Sequence, residues 1–280
     1  MLRNVNSLVG YAIRATDGDL GKVDEFYFDD QTWTIRYIVV ETGNWLSGRK
    51  VLLSPVALGE PDWKSETFGA NLTMEQVRSS PDLDTAKPVS RQHEMALLGH
   101  YDWPMYWGSG LSTGGMYGAA PLGPLMYEKP DAKDDALGPE SDDDPRLRST
   151  RSVAGYHIHA ADGDLGQVQD YIIDDETWHL RFLVVNTGTW LPGRSVLISP
   201  HWIKSVEWGE SKVIVDLSRE EIKGSPEFDP QQPVSADYEG KLHDYYGRPS
   251  DRRPRAGGTP SSSAPIAGTI PNEKDKKQTQ

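Results

Sequence analysis

The 280-residue sequence contains no cysteine. Disulfide bonds, thiolate nucleophiles and thiolate metal sites are therefore excluded. The sequence also lacks any run of about 18 consecutive apolar residues, the length needed to cross a bilayer as a helix. Residues 1–8 lack the apolar core of a secretory signal. From these absences we expect a soluble, cytoplasmic protein.

Basic residues are too few to balance the acidic ones. The chain has 29 Lys and Arg against 42 Asp and Glu, a formal net charge of −13. A field of this sign repels the phosphates of nucleic acids and anionic lipid surfaces. We therefore expect no nucleic-acid partner and look for a protein partner instead.

The sequence repeats itself at an offset of 145 residues. Gly10-Tyr11 returns as Gly155-Tyr156, and residues 17–21, Asp-Gly-Asp-Leu-Gly, return as residues 162–166. Of the 46 positions from 10 to 55, 27 are identical to their partners 145 residues later. Self-similarity of this degree indicates two structural units of one kind. We call residues 10–101 the first copy and residues 155–246 the second copy.

Changes in composition predict four regions. Two β-rich domains are expected at residues 5–101 and 151–246. Between them, residues 102–150 begin with a segment rich in Gly, aromatic residues and Met and continue as an acidic linker. Residues 247–280 carry Arg, Pro, Gly, Ser and Lys with little apolar surface to bury, so we expect a disordered tail.

Within each copy, short apolar runs separated by turn residues indicate a meander of β-strands. One face of the strand that begins near Trp33 is entirely apolar, with Trp33, Ile35, Tyr37 and Val39. Its other face begins polar and ends apolar, as expected for a curved sheet or small barrel. A short helix follows near the end of each copy, with Thr73 and Ser218 as N-caps and Gln76 and Glu221 as their capping-box partners.

These motifs resemble those of the PRC-barrel family, the domain shared by the cytoplasmic part of the photosynthetic reaction-centre H subunit and a ribosome-maturation factor. The resemblance rests on the Gly-Tyr pair, the Asp-Gly-Asp-Leu-Gly turn, the Asp-Asp-x-Thr-Trp-x-x-Arg strand, the Trp-Leu-x-Gly-Arg segment and the capped helix with Ser-Pro. It implies a mainly β fold with two small β-barrels in tandem, each with a short C-terminal helix. It implies no catalytic residues and no cofactor, because members of the family share a scaffold and differ in their partners.

Trp and Arg residues outside the apolar strand faces are the candidate interaction surface, since both types are enriched at the energetic centres of interfaces. The candidates are Trp45 and Arg49, their counterparts Trp190 and Arg194, and Trp103 and Trp107 in the segment after the first copy. The alternative for the first four is internal packing, with each Trp lying over the open end of a barrel and the Arg across it. Trp103 and Trp107 either pack between the barrels or bind a partner.

Metal chemistry has one weak candidate, formed by His157, His159 and Asp162. Alternate residues of a strand share a face, so the two imidazoles can approach one ion. Their first-copy counterparts are Ala12 and Arg14, which makes an exposed histidine pair the simpler interpretation. The aspartates at 29–30 and 174–175 are read as turn residues, and the other histidines lie far apart in the sequence without a nucleophile motif.

Together these observations predict a non-enzymatic binding or scaffold protein. Its two barrels are expected to dock on a protein or a membrane-associated complex, and they can pack as an internal pseudo-dimer. The alternative is an accessory protein similar to the reaction-centre H subunit that assists photosynthetic electron or proton transfer through surface carboxylates.

Overall fold

The computed structural model of the chain describes residues 1–82, 89–107, 146–188, 191–230 and 232–248. Within these ranges most regular structure is β. The strands are β1 Leu2–Asn4, β2 Ala12–Arg14, β3 Asp19–Asp29, β4 Thr34–Glu41, β5 Lys50–Leu53, β6 Thr67–Gly69, β7 Leu147–Ser149, β8 His157–Ala160, β9 Gly163–Asp174, β10 His179–Asn186, β11 Ser195–Ile198, β12 Ile203–Glu207 and β13 Lys212–Val215. The helices are α1 Met74–Arg78, α2 Arg91–Tyr101, α3 Thr150–Val153, α4 Arg219–Gly224 and α5 Ala236–Tyr246, with short 3-10 turns between elements.

The strands of both copies belong to one mixed sheet. Its path runs β12-β13-β8-β9-β10-β4-β3-β2-β6, with β1, β5, β7 and β11 pairing off this path. Long antiparallel pairs β3–β4 and β9–β10 form the centre of each copy, and the pairs β2–β6 and β8–β13 are parallel. The mainly β prediction is therefore confirmed. The described strands join into one sheet whose path is open at both ends, not into two separate closed barrels.

The alternation read from the sequence of β4 is present in the structure. Ile35, Tyr37 and Val39 are buried, and the opposite face changes from half-buried Thr34 and Arg36 to a fully buried apolar end. The β3–β4 pair has register shifts along its length, which are typical of a curved sheet. The predicted change from a solvated to a covered end is confirmed.

Gly21 and Gly166 permit a close approach of neighbouring strands. Both take positive φ, +147° and +139°, and a Cβ at either position would collide with the carbonyl oxygen of the facing strand, Glu41 or Asn186. Only glycine combines this backbone conformation with so close an approach of two strands. The Asp-Gly-Asp-Leu-Gly motif therefore sets strand packing as well as the turn.

The two copies exchange short strands. β1, which precedes the first copy, pairs with β9 of the second copy, with Leu2 opposite Asp174. β7, which precedes the second copy, pairs with β3 of the first copy, with Leu147 opposite Asp29. The two pairings are related by the same offset of 145 residues. Residues 147–149, assigned to the linker from sequence, thus form a strand that completes the sheet of the first copy.

Both capping boxes are present. The hydroxyl of Thr73 accepts from the Gln76 N–H at 3.2 Å, and Ser218 does the same for Glu221, also at 3.2 Å. The longer helices α2 and α5 were not predicted from the sequence. Each begins after a serine N-cap, Ser90 or Ser235, whose side chain accepts from the backbone N–H three residues on. These two serines are the sequence feature from which the starts of α2 and α5 could have been predicted.

Candidate functional site

Trp45 is anchored to the protein's own backbone. It lies half-buried in the 3-10 turn Gly43–Leu46 and packs against the core. Its indole Nε1–H donates to the carbonyl oxygen of Leu20 at 2.6 Å. The indole therefore ties the turn to the start of β3. Its counterpart Trp190 lies outside the described residues.

Arg49 and Arg194 hold the ends of the capped helices. The Arg49 guanidinium donates to the carbonyl oxygens of Arg78, at 3.0 Å, and of Ser80. Arg194 donates likewise to the carbonyl oxygens of Lys223, at 2.9 Å, and Ser225. These acceptors lie at and just beyond the last turns of α1 and α4, where backbone carbonyls lack partners within the helix. The planar fork of arginine suits two neighbouring carbonyls, so both residues have a structural role within their own copy.

Trp103 and Trp107 pack onto α2. The Trp103 ring stacks on Tyr101 with centroids 4.2 Å apart, and the Arg91 guanidinium lies 4.0 Å from the centroid of the Trp107 ring. Two methionines nearby in the chain, Met95 and Met105, are 56% and 58% exposed. Met95 lies one turn along α2 from Arg91. We call these residues, Arg91, Met95, Trp103, Met105 and Trp107, the α2 surface.

A buried carboxyl group lies beneath this surface. Glu94 is 2% exposed and accepts from the Tyr106 hydroxyl and, at 3.2 Å, from the Arg91 guanidinium. Burial raises the pKa of Glu94, and burial together with the nearby carboxylate raises that of Tyr106. The Arg36 guanidinium lies 4.0 Å from the Tyr106 ring centroid. A side chain from the segment after α2 thus occupies the space over Arg36.

The second copy uses the matching residues differently. Arg181 and Glu239, the counterparts of Arg36 and Glu94, form a buried ion pair at 2.7 Å. This pair borders a small, partly open cleft whose lining residues are His179, Arg181, Ser199, His201 and His243. We call it the histidine cleft. Sequence patterns do not group these residues, because β10, the 3-10 turn Pro200–Trp202 and α5 lie far apart along the chain.

The proposed ligands His157, His159 and Asp162 make other contacts. His159 Nδ1 lies 2.6 Å from Asp164 Oδ1, and His157 Nε2 lies 3.3 Å from the Gln167 amide nitrogen. Asp162 Oδ1 accepts from the backbone N–H of Arg219 at 2.7 Å and so caps the first turn of α4. Asp17 does the same for Met74 in the first copy. Among the described residues, no group of three or more His, Asp or Glu side chains has an arrangement that could hold a metal ion.

Two arginines link the copies in the same way. Arg3 lies 3.3 Å from the centroid of Trp63 in the first copy and pairs with Asp175 of the second copy at 2.8 Å. Arg148 lies 4.1 Å from the centroid of Trp208 in the second copy and pairs with Asp30 of the first copy at 2.8 Å. We call these the arginine clamps. The aspartates read as turn residues thus also join the copies.

Comparison with known proteins agrees with the motifs of the first copy. The family model of the PRC-barrel domain matches residues 2–63. This range includes β1 to β5 and the arginine and tryptophan of one clamp, Arg3 and Trp63. No curated protein matches the chain. Within the described residues, the chain has no helix of the length and hydrophobicity that spanning a bilayer requires.

Proposed function

We propose that the chain is a non-catalytic binding or scaffold protein in which two PRC-type modules, joined in one sheet, act as an internal pseudo-dimer and dock on a protein or a membrane-associated complex. The observation that carries this proposal is the reciprocal exchange of β1 and β7. Each module contributes a strand and an arginine clamp to the other. The exchange gives the pair a fixed relative geometry, which a scaffold needs in order to present two surfaces at once.

The α2 surface supports a protein as the docking partner. Methionine adapts its shape to an apolar partner, and tryptophan with arginine supplies most of the binding free energy in many interfaces. Met95 and Met105 are exposed, whereas Trp103 and Trp107 are held in place by Tyr101 and Arg91. A surface with fixed aromatic rings and flexible methionines suits a protein with a complementary apolar patch.

The test uses the tagged, full-length protein expressed in cells of its source. Cross-linking and affinity capture are carried out separately on the soluble fraction and on washed membranes. We compare the wild type with Met95→Asp and with Val9→Asp, a control that also introduces a carboxylate at an exposed apolar position, just before the first copy. We expect one dominant partner to be recovered with the wild type and Val9→Asp and to be lost with Met95→Asp. Equal recovery with all three proteins, or only links within the chain, would overturn the proposal.

The alternative role, assistance of photosynthetic electron or proton transfer, is favoured by the presence of buried carboxyl groups. Burial raises the pKa of Glu94 and of Asp170, and such groups exchange protons closer to neutral pH. The same capture experiment separates the two roles. Recovery of pigment-binding proteins from washed membranes favours the alternative, and recovery of a partner from the soluble fraction alone excludes it.

A further inference from the structure

The outer face of α2 carries no charged side chain. Helix α2 buries one face against the core and leaves four positions exposed along the other: Gln92, Met95, Ala96 and Gly99. These positions are three or four residues apart, so they form one line along the helix. We call them the α2 stripe. The remaining exposed residue of the helix, His100, faces α1, with its Nε2 2.8 Å from the carbonyl oxygen of Gln76.

The matching helix of the second copy is charged on this face. Three positions of the α2 stripe, 92, 96 and 99, correspond to Asp237, Lys241 and Asp244 of α5. All three of these side chains are exposed. The two helices have the same length, and both bury a glutamate and a leucine at matching positions. The fold therefore accepts charges on the outer face, and packing of α2 on its own copy does not require their absence.

An exposed face without charges is unusual in this chain, in which 25% of the residues are charged. The centres of protein interfaces are depleted of charged residues and enriched in methionine. Met95, which belongs to both the α2 stripe and the α2 surface, is 56% exposed, and its unbranched side chain can adapt to an apposed surface. These properties indicate that the α2 stripe is a contact surface.

A second copy of the chain is the partner that this face fits. Each copy has a formal net charge of −13, so two copies repel each other wherever acidic surfaces meet, and a face without charges opposes their approach least. A two-fold pair also places each patch against itself. An uncharged stripe matches itself. In an antiparallel pair, the exposed Asp102 that follows α2 approaches the N-terminal end of the other helix, where the helix dipole favours a negative charge.

We propose that two copies of the chain associate through an antiparallel pair of α2 helices, with the α2 stripe at the centre of the contact. This inference rests on the docking role proposed above for the α2 surface and names its partner. A helix of 11 residues is about 16 Å long, so the contact is small. Small interfaces are typical of reversible association, and we expect a Kd on the order of 100 µM.

The first measurement is analytical ultracentrifugation of the purified, full-length protein over a range of concentrations that spans this value, at low and at high salt. We expect a reversible monomer–dimer equilibrium that is stronger at high salt. Salt screens the repulsion between two acidic copies, whereas it does not weaken a contact between uncharged faces. Association that weakens as salt is added would show that ion pairs hold the copies together.

Ala96→Lys is the variant that tests the surface. It introduces the residue of the matching α5 position at an exposed site, and it makes the whole protein less negative by one charge. General repulsion therefore falls, while two ammonium groups meet at the proposed contact. We expect association to weaken at least about tenfold, because like charges within an interface oppose binding strongly. Val9→Lys is the matched control, since it adds the same charge at an exposed apolar position outside α2, and it should associate at least as strongly as the wild type.

Cross-linking through a single cysteine locates the contact. The chain has no cysteine of its own, so Met95→Cys introduces a unique thiol near the middle of the α2 stripe. A short bismaleimide should link two copies of this variant at concentrations at which the wild type associates. Val9→Cys, also exposed, should give few links under the same conditions.

Three results would overturn the inference: a monomer at every concentration and salt level, unchanged association of a folded Ala96→Lys variant, and equal cross-linking of Val9→Cys and Met95→Cys. A monomer leaves the docking role intact, because the capture experiment above detects a different protein on the same surface. A confirmed dimer with no other protein captured has the opposite meaning. It supports the inference and overturns docking on a different partner.

Discussion

Trp33 and Trp178 exchange backbone hydrogen bonds across the junction of the two copies. The carbonyl oxygen of Trp33 accepts from the N–H of Leu180 at 2.7 Å, and that of Trp178 accepts from the N–H of Ile35 at 2.8 Å. Both tryptophans have positive φ, 51° and 57°. This conformation is uncommon for a bulky side chain, and here it turns each carbonyl toward the other copy. The junction is thus formed by main-chain atoms of two matching residues.

The arginine clamps should contribute measurably to stability. Replacing Arg3 or Arg148 by alanine removes a contact with a tryptophan ring and a partly buried ion pair with the other copy. We expect each variant to lower the free energy of unfolding by about 1–2 kcal/mol in urea denaturation. Arg14→Ala is the control, because its pair with Asp19 is exposed, and it should change stability by less than about 0.5 kcal/mol. An Arg3→Ala variant as stable as Arg14→Ala would contradict this prediction.

An isolated second copy should form a homodimer. A fragment of residues 146–248 retains β7 but loses β1, which pairs with residues 172–174 in the full chain. Because β7 matches β1 in position and in its Leu-Arg sequence, the β7 strands of two fragments can pair with each other's β9. Analytical ultracentrifugation should show a dimer. A fragment of residues 150–248, which lacks β7, should not dimerise, and a folded monomer of the longer fragment would disprove the exchange.

Replacing Arg49 should lower the stability of the fold, whether or not a partner is bound. Arg49→Ala leaves the carbonyl oxygens of Arg78 and Ser80 without this donor, and we expect a loss of about 1–3 kcal/mol in the free energy of unfolding. Arg49→Lys should not restore it, because an ammonium group cannot reproduce the planar fork. Thermal and urea denaturation measure the effect. If Arg49→Ala keeps full stability and loses only the partner, Arg49 is an interface residue as the sequence pattern predicted.

Ionisation of Glu94 should make the stability of the protein depend on pH. Burial raises its pKa above the ordinary value of 4.5, so the folded state favours the protonated form. Its contribution to stability is full below the ordinary value and is lost as the pH rises through the raised pKa of the folded state. Glu94→Gln removes this loss, so the stability of the variant relative to the wild type should increase with pH.

Urea denaturation between pH 4 and pH 8 tests this prediction for Glu94. Glu220→Gln is the control, because Glu220 is an exposed glutamate in the first turn of α4. Both variants are measured over the same pH range, and the pH dependence of Glu94→Gln is judged relative to this control. A relative stability of Glu94→Gln that falls as the pH rises would show that the folded state prefers the ionised carboxylate.

The sequence predicted local structure well and long-range structure poorly. The capping boxes of Thr73 and Ser218 and the alternation in β4 follow from short patterns, and the structure has them. The strand exchange depends on only three residues on each side, too few to give a periodic signal. The histidine cleft joins residues 64 positions apart, from His179 to His243, and no pattern within a window of one element could group them.

For the candidate site residues too, the sequence predicted local features but not long-range contacts. Arg49 was chosen because its residue type is common at interfaces, yet its partners are carbonyl oxygens about 30 residues away that become neighbours only after folding. For Trp103 and Trp107 the sequence allowed either internal packing or binding of a partner. The structure shows that they pack on α2 with part of their surface still accessible. Whether they also bind a partner stays a prediction.

The strand exchange also bears on how the two copies can change over time. In a dimer of identical subunits, every substitution appears twice, so a ligand site gained in one subunit is imposed on the other. Here the complementary strand is supplied within the same chain, and its effective concentration does not depend on expression level. The surfaces of the two copies can therefore differ in sequence without loss of stability at the junction. One half can carry His179, His201 and His243 where the other has Thr, Val and Leu with a tyrosine over the matching arginine.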